Sequence, residues 1–253
     1  MRGLLLLSLL GVACAAGRAP RVETQEEIPR WMNERDGVRY ALIEHFLEVH
    51  DTERALEIIR VLRDEGVHTP LLDLYQGIVL REQGMTEDAL RLLEASRIGM
   101  RRDSRPHREL CVLYADLEQI DDAIAACDRA VNLDEKDAGA WNNLGYLLLA
   151  ADRPTDAKDA LEHAVDLDGT VARFRNNLGI AQAAAGLEDR ALRTFMSTGS
   201  RADAHYNVGA AVERFATTDD ALEWYRRALE FDAAHDLATE AVERLTSNHT
   251  ESP

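Results

Sequence analysis

Two asparagine pairs, Asn142-Asn143 and Asn176-Asn177, recur 34 residues apart, and Tyr206-Asn207 follows after 30 more. A carboxamide carries both donors and an acceptor, so a row of them can pair with the main chain of an extended segment whatever its sequence. The same groups can instead tie neighbouring helices to each other. Five arginines, Arg97, Arg101, Arg102, Arg105 and Arg108, crowd together in a chain whose formal net charge is -17. Guanidinium forks suit carboxylates. Arg105 and Arg108, with Arg173 nearby, are therefore candidates for an acidic or C-terminal carboxylate contact, and a solvated loop is the competing reading.

Cys111 and Cys127 are too far apart for a CxxC motif and lack the spacing of a zinc site. Both stand where a small or apolar side chain is wanted, so two buried thiols are expected. A disulfide is the alternative in an oxidising compartment. The eight histidines are scattered, and there is no HExxH, GxSxG, P-loop or GxGxxG. Acidic pairs such as Asp121-Asp122 and Asp219-Asp220 sit where helices would begin and suit the positive end of the dipole. No catalytic set, metal site or cofactor is expected. The acidic charge balance also argues against nucleic acid as a partner. Asn248-His249-Thr250 matches a glycosylation sequon by chance in a tail.

The elements that position these residues follow from an internal repeat. Ala55, Ala89, Ala123, Ala157 and Ala191 are spaced by 34 residues, and Ala221 follows after 30. Gly77, Cys111, Gly145 and Gly179 keep the same interval, and Gly209 again follows after 30. Two small-residue series that shorten together mark one repeating unit. Leu144, Leu148, Leu161 and Ala164 add apolar stripes at helical spacing. With 46% hydrophobic residues, only 6% aromatic ones and 6 prolines, the chain is expected to be all-α. Thr86 and Thr217 offer N-cap hydroxyls, and Pro154 suits a first helical turn.

The fourth unit carries Trp141, Leu144, Gly145 and Leu148, then Ala157, Leu161 and Ala164. The sixth carries Val208, Gly209 and Val212, then Ala221, Tyr225 and Ala228. These resemble the tetratricopeptide repeat. The resemblance implies a right-handed α-solenoid of six helical hairpins, at about 36–69, 70–103, 104–137, 138–171, 172–201 and 202–235, with a capping helix at 236–247 and a tail at 248–253. A clipped helix is expected near Ser197–Ala202. With Trp141, Leu144, Gly145 and Leu148 toward the core, Asn142, Asn143, Tyr146 and Leu149 would face the concave side. The same offset places Asn176, Asn177, Ile180, Tyr206, Asn207 and Ala210 there, to hold a protein or an extended peptide.

Residues 1–13, MRGLLLLSLLGVA, have the charged start and short apolar run of an export signal. Gly11-Val12-Ala13-Cys14 resembles a bacterial lipobox, which makes Cys14 a candidate lipid attachment point, followed by a tether at 14–35. Cleavage after Ala15, giving a secreted or periplasmic protein, is the alternative. Ala15 in place of Asp would favour the outer membrane. In size, repeat number and leader the chain looks like type IV pilus pilotin lipoproteins and the repeat lipoproteins of tight-adherence (Flp) pilus systems. The expectation is a non-enzymatic scaffold that assists a pilus or secretin complex, or else a general envelope or cell-wall assembly adaptor.

Overall fold

The computed structural model describes residues 34–250, which form thirteen α-helices and no strand. The leader, Cys14 and most of the expected tether lie outside the described residues. Helices pair in chain order: α1 (Glu34–Glu48) with α2 (Thr52–Asp64), α3 (Pro70–Glu82) with α4 (Thr86–Gly99), and α5 (Arg105–Asp116) with α6 (Ile120–Leu133). Then α7 (Ala138–Ala150) pairs with α8 (Pro154–Leu167), α9 (Ala172–Ala184) with α10 (Glu188–Met196), and α11 (Arg201–Phe215) with α12 (Thr218–Phe231). The last helix, α13 (Asp236–Thr250), covers the end and runs three residues into the expected tail. It turns Ala238, Ala241 and Leu245 inward and keeps Glu240, Glu243 and Arg244 outside, as a terminal repeat must.

The second to sixth hairpins are each clamped at one point. A Cβ on Gly77 would lie 2.8 Å from Leu93, on Gly145 2.4 Å from Leu161, on Gly179 2.7 Å from Phe195 and on Gly209 2.9 Å from Tyr225. The large partner always follows the glycine by 16 residues, so the missing side chain on one helix makes room for the large one on the other. In the third hairpin the same two places hold Cys111 and Cys127, whose Cα atoms are 5.0 Å apart and whose sulfurs are bonded. This corrects the expectation of two free thiols. A crossing tight enough to need glycine elsewhere is within disulfide reach.

The turn inside each of the first five hairpins is also repeated. His50, Gly84, Glu118, Asp152 and Gly186 all have positive φ, between 55° and 74°. This left-handed residue ends the first helix and lets the next amide close back on it, as Met85 N does on Leu80 O at 2.8 Å. Pro154 stands in the first turn of α8, and Thr217 caps α12 by accepting from the Asp220 amide. Thr86 does not cap α4: its hydroxyl donates to Gly84 O, and Met85 takes the cap position.

Second helices bury narrow stripes, such as Ala157, Ala160, Leu161 and Ala164 on α8. Burying a leucine of this kind is worth about 1.5–3 kcal/mol. One core runs from α1 to α9 and a second from α9 to α13, with Ile180 packed against both. The junction coincides with α10, which has 9 residues where α8 and α12 have 14.

Candidate interaction surface

First helices pack against first helices of the next hairpin: α1 on α3, α3 on α5, α5 on α7, α7 on α9 and α9 on α11. Second helices show no such extended mutual packing among the described residues. The array therefore curves with α1, α3, α5, α7, α9 and α11 inside and the second helices outside. The inner face is what a partner segment would meet along its length.

One row on that face repeats with the glycines, one residue later: Ile78, Val112, Tyr146, Ile180 and Ala210. Four of them are half-buried, while Tyr146 is 58% exposed. Ile78 and Val112 were not anticipated from the sequence, although adding 34 to each position reaches Val112 and Tyr146.

Polar groups beside this row are tied to each other, within and across repeats. Asn177 Nδ2 donates to Asn142 Oδ1 at 2.9 Å, and Asn142 Nδ2 reaches Asn143 Oδ1 at 3.4 Å. Asn176 Oδ1 accepts from Thr198 at 2.8 Å. Toward the N-terminal end, Glu44, Tyr75 and Arg105 join three hairpins: the Tyr75 hydroxyl donates to Glu44, and Arg105 Nη1 reaches the same carboxylate at 3.4 Å. Arg105 also forks onto Asp103, with Nη2 at 2.7 Å from Oδ2. That bond, opposed by burial, raises the guanidinium pKa above its ordinary value. Burial and the Glu44 contact push the Tyr75 phenol up. At the C-terminal end Arg244 grips Glu213, which also accepts from Tyr225 at 2.7 Å.

Residues 112–170 match the family model of the tetratricopeptide repeat. Solved structures with the same fold include YrrB, described as a TPR protein with an unusual peptide-binding site. It is 21% identical, with 73% of this chain and 96% of that one aligned at a TM-score of 0.59. MamA is 26% identical over 61% of this chain and 92% of its own, with a TM-score of 0.51. PilF of Pseudomonas aeruginosa is 14% identical over 81% of this chain and 95% of its own, with a TM-score of 0.59. No curated protein matches the sequence.

The fold is a tetratricopeptide-repeat solenoid. Within it the expected site residues separate into two groups. Asn143, Asn177 and Asn207 are half-buried on equivalent positions of α7, α9 and α11, and Tyr146 stands out between them. Tyr206 is half-buried, with its ring centroid 5.5 Å from Tyr225 and 5.2 Å from His235. Asn142 and Leu149 do not line the open surface. Asn142 is 3% exposed because α9 closes over it, and its carboxamide is spent on Asn177.

Arg105 and Arg108 are engaged within the solenoid, Arg108 with Asp137 at 3.2 Å and Glu109 at 3.5 Å. Arg173 is exposed, 5.7 Å over the Phe174 ring. Arg175, which interrupts the apolar pattern, donates to Gly169 O at 2.6 Å, much as Trp141 Nε1 donates to Glu135 O at 3.0 Å. The polar end of the tryptophan is thus reproduced by a guanidinium one repeat later. Among the described residues no His, Cys, Asp and Glu group could hold a metal, and no helix is long and apolar enough to cross a membrane.

Proposed function

We propose that this solenoid is a protein-interaction scaffold of the bacterial cell envelope, whose inner face receives an extended or helical segment of a partner. The observation that carries the reading is Tyr146, a large amphipathic side chain left 58% exposed at the centre of an otherwise half-buried row. Aromatic anchors of this kind, set in a partly desolvated surface, concentrate binding energy. Asn143 flanks it with an amide group suited to main-chain contacts, and Asn177 holds the neighbouring repeat in register through Asn142. The Arg105 and Arg108 pairs order the N-terminal part of the same face and leave less of it for an acidic ligand.

The envelope assignment is supported by the apolar leader and its Gly11-Val12-Ala13-Cys14 exit. Within that setting we propose lipid attachment at Cys14, an outer-membrane position facing the periplasm, and assistance to a pilus or secretin assembly. Likeness in fold and length to PilF supports the last step only as analogy. Affinity capture from envelope extracts, with intact protein and a Cys14→Ala variant, tests the assignment alongside membrane fractionation. Recovery of a secretin together with release of the variant from membranes is expected. Unrelated envelope proteins, with a variant that fractionates like the intact protein, would remove both the anchor and the pilus role.

A further inference from the structure

The outer surface holds a cleft of about 630 Å³ between α6 and α8, floored by α7. Its apolar lining is Trp141, Leu144 and Leu148 from α7, with Ile124 from α6. Its rim is acidic, with Asp121 and Asp128 on the α6 side and Asp156 and Asp159 on the α8 side. The Trp141 ring is held in place by stacking on His163, centroids 4.5 Å apart, and by its bond to Glu135 O. Arg153 is the one arginine or lysine lining the cleft, and it is paired with Asp156 at 2.7 Å.

The charge balance is particular to this place in the array. Shifting the lining positions back by 34 residues brings Arg91 and Arg129 to the facing stripes, and shifting them forward brings Lys158, Arg190 and Arg193. Between α6 and α8 the stripes carry four carboxylates: Asp156 is paired with Arg153 and Asp159 with Lys158, while Asp121 and Asp128 on the α6 side face no arginine or lysine partner among the described residues. An apolar slot with two such carboxylates along one rim favours a cation whose carbon stem or neighbour is apolar.

We infer that this outer cleft is a second binding site, for a partner protein's exposed segment in which Arg or Lys alternates with an apolar residue. The apolar side chain enters over Trp141 and Leu148, and the flanking cations meet Asp121 and Asp128, with the paired Asp156 and Asp159 across the slot adding to the negative field. The site opens on the opposite side of the solenoid from the Tyr146 row. A scaffold built this way holds two segments at once.

The test uses a fluorescein-labelled peptide of alternating Arg and Leu and a Glu-Leu counterpart, with anisotropy read on the intact protein. Two charge-matched variants are compared: Asp121→Asn/Asp156→Asn/Asp159→Asn at the cleft, and Asp116→Asn/Glu223→Gln/Glu240→Gln elsewhere on the surface. Helicity by circular dichroism controls for folding. The expected result is tenfold or greater loss of affinity for the Arg-Leu peptide in the cleft variant and less than twofold loss in the other. Tyr146→Ala should leave this binding intact, which separates the inference from the inner-face reading. Equal losses in both charge variants, loss in Tyr146→Ala alone, or no binding by the intact protein would each overturn it. So would self-association that Arg101→Glu abolishes, because a second copy would then be the occupant.

Discussion

Gly145 lies so close to Leu161 that a Cβ would stand 2.4 Å from the leucine Cγ, and Leu161 itself is fully buried. The fourth hairpin closes on this one contact. Gly145→Ala should therefore destabilise, although alanine is the better helix former by about 1 kcal/mol. Overpacking of this kind costs about 1–3 kcal/mol. Urea unfolding of the variant checks it, and an unchanged or raised midpoint would contradict the clamp.

The corresponding contact in the third hairpin is covalent. Reduction of Cys111–Cys127, which are separated by 16 residues, should lower stability by about 3 kcal/mol by releasing the unfolded loop. In a Cys14→Ala background, thiol titration of the unfolded protein should find no free thiol before reduction and two after. Titration of both thiols without reductant would refute the bond.

Asn142 and Asn177 should be structural, and Asn143 should be dispensable for folding. Asn177→Ala leaves the buried Asn142 carbonyl without its 2.9 Å donor. Stranding such a group costs about 1–3 kcal/mol. Asn143→Ala removes only a 3.4 Å contact at a half-buried position. Thermal unfolding of the two variants should separate them, and equal midpoints would dissolve the distinction.

Much of this architecture is legible in the spacing of small residues, because Gly77, Gly145, Gly179 and Gly209 are each fixed by one steric contact. The disulfide escapes a reading confined to the small-residue positions. The alternative of a disulfide gains its physical reason when each glycine is paired with the large residue 16 positions later, since Cys111 then faces Cys127. Helical offset places Tyr146 on the inner face, but it also assigns Asn142 there. Which of two adjacent asparagines is covered depends on how the next repeat stacks, and that lies outside any single hairpin. The arginines mislead for a similar reason: Glu44, which engages Arg105, belongs to another repeat, and Asp137, which engages Arg108, caps the first helix of the next hairpin.

Acid should loosen the C-terminal hairpin before carboxylates titrate. His205 is 8% exposed and stacks on Phe231 at 5.0 Å. Burial, with Arg227 and Arg201 adding to it, lowers its pKa below the ordinary value. Protons therefore bind the unfolded chain more readily. The stability owed to the neutral ring is complete above about pH 6.5 and is lost as pH falls through the lower folded value. His107 is shifted the same way by burial and by Arg97 and Arg129. Urea midpoints should fall between about pH 7.5 and pH 5.5. A His205→Phe variant should show a shallower fall, and an unchanged slope would remove this residue from the account.

Binding along the inner face is tested most directly at Tyr146. Peptides selected from a random display library on the intact protein would be measured on it and on Tyr146→Ala and Met85→Ala. Met85 is 50% exposed on a hairpin turn and serves as the control. The prediction is a loss of about 2 kcal/mol, roughly thirtyfold in affinity, for Tyr146→Ala. Met85→Ala should bind normally, and the thermal midpoint should be unchanged in both. Selected peptides that bind Tyr146→Ala as tightly as the intact protein would contradict the inner face as the binding surface.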